Sequence, residues 1–239
     1  MNVAIILAGG TGTRMGLEIP KQYYEVNGKA VISYCLHTFL THEKIDAVQI
    51  VADGMWQEYI MHQLSVLPNR EKFKGFSVPG ENRQLSVYHA LTDIRKYALD
   101  DDFVIVHDAA RPCVSAAQIS DCLKAAAGHD GTLPALPMKD TVYLSEDKKI
   151  ISSLLDRGKV FAGQAPEVFL FGRYYEANRA LLPDKILEIN GSAEPAIMAG
   201  MDIAMISGDE RNFKITTAAD LERFQEIVQK GGLNIITVL

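Results

Sequence analysis

Four short apolar runs, Val3–Leu7, Ala47–Ala52, Phe103–Val106 and Gly131–Leu136, read as strands buried on both faces of a sheet. Between them, Val31–Leu40, Gln57–Leu67, Gln84–Tyr97 and Ala116–Ala127 carry apolar residues at helical spacing. In the third of these, Leu85, Tyr88, His89, Leu91 and Ile94 are expected to share much of one helix face. Strand alternating with helix implies right-handed crossovers and an α/β fold: a Rossmann-like, doubly wound, mostly parallel sheet. Ligands of such sheets sit outside the carboxyl ends of the strands. One stretch breaks the rhythm. Thr141–Leu144 and Ile150–Leu154 are strand-like around the polar Ser145–Lys149, which predicts a protruding β-hairpin arm. A last unit follows, with a strand at Asp202–Ile206 and a helix from Thr217, its candidate cap, to Lys230. Gly231-Gly232 stops that helix, and Leu233–Leu239 is a short apolar tail. No repeat or low-complexity linker divides the chain, so residues 1–239 read as a single domain with 141–155 as the arm.

Composition narrows the function classes. At 48% hydrophobic and 23% charged residues over a length of 239, the chain is globular rather than disordered. Its 24 Lys and Arg against 30 Asp and Glu give a net charge of −6, which argues against nucleic acid and anionic membranes as partners. Any phosphate chemistry must then rest on a few placed cations. Cys35, Cys113 and Cys122 are an odd set without a C-x-x-C pair, so reduced thiols in the cytoplasm are expected. No run approaches the roughly 18 apolar residues of a membrane-spanning helix, and the N-terminus lacks the basic start of a signal peptide.

The strongest chemical signal is Leu7-Ala8-Gly9-Gly10-Thr11-Gly12-Thr13-Arg14-Met15-Gly16, directly after the first strand and followed by Pro20-Lys21. Glycines there let the backbone turn tightly and bring its N–H groups against phosphates. An ordinary strand-to-helix turn needs neither three glycines nor an Arg and a Lys close behind. The dinucleotide fingerprint from Gly10 requires glycine where Met15 stands, and the Walker pattern fails because Lys21 lies between Pro20 and Gln22. Asp108 ends the apolar run Phe103–Val106 at a strand's carboxyl end, where a carboxylate can hold Mg²⁺ or merely shape a turn. Arg111 can clamp a phosphate or pair with Asp108. His107, without a ligand partner nearby in sequence, reads as structural.

The loop and Pro-Lys resemble the signature of the sugar-phosphate nucleotidyltransferases. The fuller pattern resembles the cytidylyltransferases acting on 2-C-methyl-D-erythritol 4-phosphate and their relatives acting on ribitol 5-phosphate. The supporting segments are Gly80–Val87, Val106–Pro112, Asp140-Thr141, Asp156-Arg157 and Asn212–Thr216, in that order. The resemblance implies a fold of the nucleotide-diphospho-sugar transferase type and transfer of CMP from CTP to a polyol phosphate with release of pyrophosphate. It assigns Arg14 and Lys21 to the triphosphate, Lys214 to the charge developing on the α-phosphate, and Asp108 to Mg²⁺. Ala8, Gly9, Gly10, Gly12, Thr13, Gly80, Arg83 and Ser86 would complete the nucleotide side. Arg111, Asp140, Thr141 and Arg157 would hold the acceptor, Arg157 from a partner subunit across an exchanged arm. A homodimer and an isoprenoid-precursor role are implied with it.

Two departures bear on the acceptor. The family usually carries Gln-Thr-Pro-Gln where this chain has Gln164-Ala165-Pro166-Glu167, losing a hydroxyl and gaining a negative charge. It usually carries Thr-Asp with a second acidic residue where this chain reads Gly191-Ser192-Ala193-Glu194-Pro195. The His107–Pro112 segment favours methylerythritol 4-phosphate over ribitol 5-phosphate, whose enzymes more often have Ser for one of the alanines. A nucleotide-binding protein without acceptor chemistry is the reading from another class; keeping Arg14, Lys21, Asp108 and Lys214 together argues against it.

Overall fold

The computed structural model describes residues 1–10 and 19–233. The expected glycine-loop residues Gly12, Thr13 and Arg14, and the tail from 234 onward, lie outside the described residues.

The strands are β1 (Asn2–Leu7), the short pair β2 (Glu25–Val26) and β3 (Lys29–Ala30), β4 (Ala47–Val51), β5 (Phe73–Ser77), β6 (Phe103–Asp108) and β7 (Gly131–Pro137). They continue with β8 (Val142–Leu144), β9 (Ser153–Leu155), β10 (Phe161–Gly163), β11 (Glu167–Leu170) and β12 (Ile203–Ser207). The helices are α1 (Val31–Thr41), α2 (Gly54–Ser65), α3 (Arg83–Ile94), α4 (Ala116–Ala125), α5 (Phe171–Arg179), α6 (Ala193–Met198) and α7 (Ala218–Gln229).

The main sheet runs β10-β7-β11-β6-β1-β4-β5, with β12 also on β7. β1 pairs in parallel with β4 and β6, β4 with β5, and β12 with β7. β11 is antiparallel to both β6 and β7, and β10 is antiparallel to β7. The reversal has a consequence for the site: the first residue of β11, Glu167, lies opposite Val106, near the carboxyl end of β6.

The period-2 alternation of β1 sends Ala4 and Ile6 to a core shared with α1, α2 and α4, and Val3 and Ile5 to one shared with α3 and α5. Helices thus cover both faces, as a doubly wound sheet requires. The apolar face of α3 differs from the expected one. Val87, Ala90, Leu91 and Ile94 are buried against the sheet, while Leu85 and Tyr88 pack sideways on Leu181, Ile186 and Ile189. His89 stays outside, its Nδ1 3.1 Å from the Val78 carbonyl. Thr217 caps α7 as expected, in a capping box with Asp220. The hairpin arm is present as β8 paired with β9.

Candidate active site

The glycine loop leaves β1 at the sheet's carboxyl edge, and its first carbonyls are held from below. Gln22 Nε2 donates to the carbonyls of Ala8 (2.7 Å) and Gly10 (2.6 Å), and the Tyr23 hydroxyl donates to Ala8 (2.9 Å). Tyr23 is itself stacked on Trp56, ring centroids 4.3 Å apart. The two residues after Lys21 therefore tie the Pro20-Lys21 segment to the loop. Gly9 and Gly80 are each closely hemmed in. A Cβ on Gly9 would stand 2.8 Å from Pro79, and one on Gly80 would stand 2.6 Å from Leu85. Ser86 Oγ accepts from the Gly80 amide (2.9 Å) and donates to the Asn82 carbonyl (2.9 Å), so it shapes this wall. Asn82 caps α3 by accepting from the Leu85 amide at 2.8 Å, which aims Arg83 from the first turn of the helix.

Asp108, the last residue of β6, is the electrostatic centre. Its Oδ1 lies 3.1 Å from Arg83 Nε, and its Oδ2 lies 3.0 Å from Lys214 Nζ and 3.4 Å from Arg111 Nε. Burial alone would raise the Asp108 carboxyl; Arg83, Lys214 and Arg111 outweigh it and hold the group well below the usual carboxylate range. Three elements thereby meet at one carboxylate. The loop carrying Lys214 is bound to the Asp108–Arg111 turn through Arg111 Nη1 to the Asn212 carbonyl (2.8 Å) and the Ile215 amide to the Ala110 carbonyl (2.9 Å). Asn212 is fully buried and donates to Gln118 Oε1 (2.8 Å) and the Ala165 carbonyl (2.6 Å).

His107 is structural. Its Nε2–H donates to the Arg111 carbonyl at 3.1 Å, its Nδ1 is buried without a partner, and burial pushes its pKa down to about 4. A neutral imidazole with that tautomer closes the turn that carries Arg111.

Among the described residues no group of three or more His, Cys, Asp or Glu is arranged to hold a metal. Asp108 alone still fits the manner in which Mg²⁺ is taken by one or two carboxylates together with substrate phosphates. The three cysteines are buried and unpaired. No helix among the described residues is long and apolar enough to cross a membrane.

A glycine loop leaves the end of β1, a carboxylate ends β6, and Lys214 closes on that carboxylate. The family model for 2-C-methyl-D-erythritol 4-phosphate cytidylyltransferase (IspD) matches residues 2–230. The chain belongs to the IspD family. It is 34% identical over 222 residues to the 2-C-methyl-D-erythritol 4-phosphate cytidylyltransferase of Thermotoga neapolitana, covering 93% of this chain and 94% of that one. It is 31% identical over 228 residues to the ribitol-5-phosphate cytidylyltransferase of Streptococcus agalactiae serotype III, covering 95% of each. The crystal structure of the Francisella tularensis IspD superposes with a TM-score of 0.78 at 30% identity, covering 94% of this chain and 99% of that one.

Within the IspD frame, Arg83, Asp108, Arg111 and Lys214 come together, and Ala8, Gly9, Gly10, Gly80 and Ser86 line the neighbouring loops. Of the acceptor candidates, Arg111 sits on Asp108, while Asp140, Thr141 and Arg157 lie at the root of the arm. Arg157 Nη1 donates to the Lys139 carbonyl (2.9 Å), beside the exposed Asp140 and Thr141. Lys139 is ion-paired with Glu210, so the arm's root is tethered to the loop that carries Lys214. Sequence reasoning missed Gln22 and Tyr23 as supports of the glycine loop, although they directly follow Lys21. It also gave Glu167 and Ser192 no role beyond departures from a pattern, whereas both meet Arg83.

Proposed function

We propose that this IspD-family enzyme transfers the cytidylyl group of CTP to the phosphate of 2-C-methyl-D-erythritol 4-phosphate. An acceptor phosphate oxygen bonds to the α-phosphorus, the bond from that phosphorus to the β-phosphate bridging oxygen breaks, and pyrophosphate leaves with the electron pair. Little covalent work falls to the protein; it aligns two polyanions and offsets the charge that builds at the α-phosphate. The observation that carries the reading is the gathering of Lys214, Arg111 and Arg83 on Asp108 beside the glycine loop. Lys214 is the cation for the α-phosphate, Arg14 and Lys21 grip the triphosphate, and the loop amides from Ala8 to Thr13 receive the nucleotide. Gly9, Gly80 and Ser86 shape the slot for the base. Asp108 would hold Mg²⁺, whose charge would offset that of the phosphates.

Acceptor binding falls to Arg111, Asp140, Thr141 and the Arg157 of a second subunit. The arm supports a homodimer: Tyr143, Leu144, Ile150, Ile151 and Leu154 are all exposed, a run of apolar surface that a second copy would cover. The buried unpaired cysteines suit a reducing cytoplasm.

A second reading of the acceptor is ribitol 5-phosphate, favoured by the Streptococcus agalactiae relative and by the change to Ala165 and Glu167. Pyrophosphate release measured with CTP, Mg²⁺ and a panel of polyol phosphates tests both. The expected result is the highest kcat/KM with methylerythritol 4-phosphate. A higher value with ribitol 5-phosphate selects the second reading, and CTP binding with no turnover on any acceptor refutes the enzymatic one.

A further inference from the structure

Glu167 faces the same guanidinium as Asp108 and has no part in the scheme above. The reversed strand β11 brings it there, opposite Val106 and so near the carboxyl end of β6. Arg83 Nη2 lies 3.9 Å from Glu167 Oε1, and Arg83 Nη1 donates to Ser192 Oγ. Ser192 and Glu167 thus flank the two outer nitrogens of the guanidinium. Ser192 cannot drift, because it is buried and its carbonyl accepts from the Tyr174 hydroxyl at 2.8 Å. Tyr174 stacks on Phe169 with centroids 4.0 Å apart and takes a hydrogen bond from Gln84 Nε2 (3.1 Å), which also donates to Asn178 Oδ1 (2.5 Å). A buried polar network from α3, α5, β11 and the turn before α6 thus fixes the outer edge of the guanidinium, while Nε stays on Asp108.

We propose that Glu167, together with Ser192, is a positioning residue that clamps Arg83 onto Asp108 and takes up its charge, so that Arg83 serves Asp108 and not the nucleotide's phosphates. The proposal rests on the proposed function for its nucleotide. Among the described residues, the cluster at Asp108 sets three cations, Arg83, Arg111 and Lys214, against two carboxylates, Asp108 and Glu167. Without the second carboxylate, Arg83 becomes one more grip on a triphosphate. A stronger ground-state grip that is not aimed at the transition state tightens binding without speeding the reaction.

Glu167→Gln keeps the shape and removes the charge. At pH 8, its Kd for CTP, measured calorimetrically without acceptor, is expected to fall about three- to tenfold, as one uncompensated charge at this range permits. Its kcat is expected to fall about tenfold or more. Ser192→Ala, which frees Nη1 at constant charge, lowers kcat and leaves the CTP Kd within about twofold. A residue that only filled space would not split binding and turnover in opposite directions. Unchanged or weaker CTP binding by Glu167→Gln overturns the proposal. An unfolding cycle with Arg83→Gln, Glu167→Gln and the double variant gives a readout independent of CTP. Non-additive changes in stability are expected, and strict additivity overturns the clamp. If the variants couple but the wild type ignores CTP, the clamp is supported while the proposed function and the claim about phosphates both fail.

Discussion

Lys214 Nζ lies 3.0 Å from Asp108 Oδ2, so a single contact joins the cation proposed for the α-phosphate to the carboxylate proposed for the metal. The two residues come from the last loop and from the sixth strand, and the Arg111–Asn212 and Ile215–Ala110 hydrogen bonds hold those segments in register.

Lys214→Ala is expected to lower kcat/KM by about 10²–10³, the usual loss when one preorganised electrostatic contact to a transition state is removed. The side chain is a third exposed, so the fold should survive with little change in its melting temperature. Steady-state pyrophosphate release beside a thermal melt checks both halves. Wild-type turnover in the variant would remove Lys214 from the mechanism.

Gly80→Ala probes the wall of the base slot. The added methyl would stand 2.6 Å from the Leu85 side chain and 2.8 Å from its backbone carbonyl carbon, so the turn between β5 and α3 must shift. Overpacking of this kind costs about 1–3 kcal/mol. The shift also moves the Gly80 amide away from Ser86, and KM for CTP is expected to rise by about tenfold while KM for the acceptor stays within twofold. Denaturant unfolding and the two KM values decide it; equal effects on both substrates would contradict a base-side role.

Stability against pH should be flatter than His107 alone would make it. Burial lowers His107 from 6.5 to about 4, so the unfolded chain binds a proton that the native one refuses, and stability rises with pH across about 4 to 6.5. Glu167 is displaced the other way. Burial raises it from 4.5 to about 7, so the native state holds a proton that the unfolded chain gives up, and stability falls with pH across about 4.5 to 7. Each displacement amounts to about 3 kcal/mol at most, and the two offset over their shared range. Glu167→Gln removes the second, so the variant's stability should climb between pH 4.5 and 6.5 by about 2 kcal/mol more than the wild type's. Parallel curves from urea unfolding would show that Glu167 does not titrate there.

The arm predicts an assembly. Ile150→Asp with Leu154→Asp places charges on side chains that are 71% and 65% exposed, so the fold of the single chain has little to lose. Light scattering should report a dimer for the wild type and a monomer for the double variant. If Arg157 acts across the dimer, acceptor KM rises in the variant while CTP affinity is kept. A monomeric wild type would end the idea.

The elements with strong periodicity were legible in the sequence: β1, β4, β6, the helices α1, α3 and α4, the hairpin and the capped last helix. β11 was not, because Glu167–Leu170 is four residues long and passes at once into α5, leaving no turn signal to mark it. β5 was missed for another reason: Phe73–Ser77 contains Lys74 and Gly75, which interrupt an apolar run. The site divides in the same way. Asp108, Arg111 and Lys214 stand in motif segments. Their meeting with Glu167 and Ser192 depends on a strand reversal and a buried network joining residues 84, 174, 178 and 192, and no local pattern encodes such distances.

Asp108 draws three cations from three separate elements, and two of them, Lys214 and Arg111, are groups that a phosphate would seek. The carboxylate thus acts as a built-in understudy for the substrate. An anion arriving at the pocket has to outbid it, and a lone sulfate or inorganic phosphate offers little that Asp108 does not already provide. A triphosphate held at several points along its length can win that exchange. Selectivity for a long polyanion over the abundant small ones would then be set by an internal competitor, at the end of a single strand.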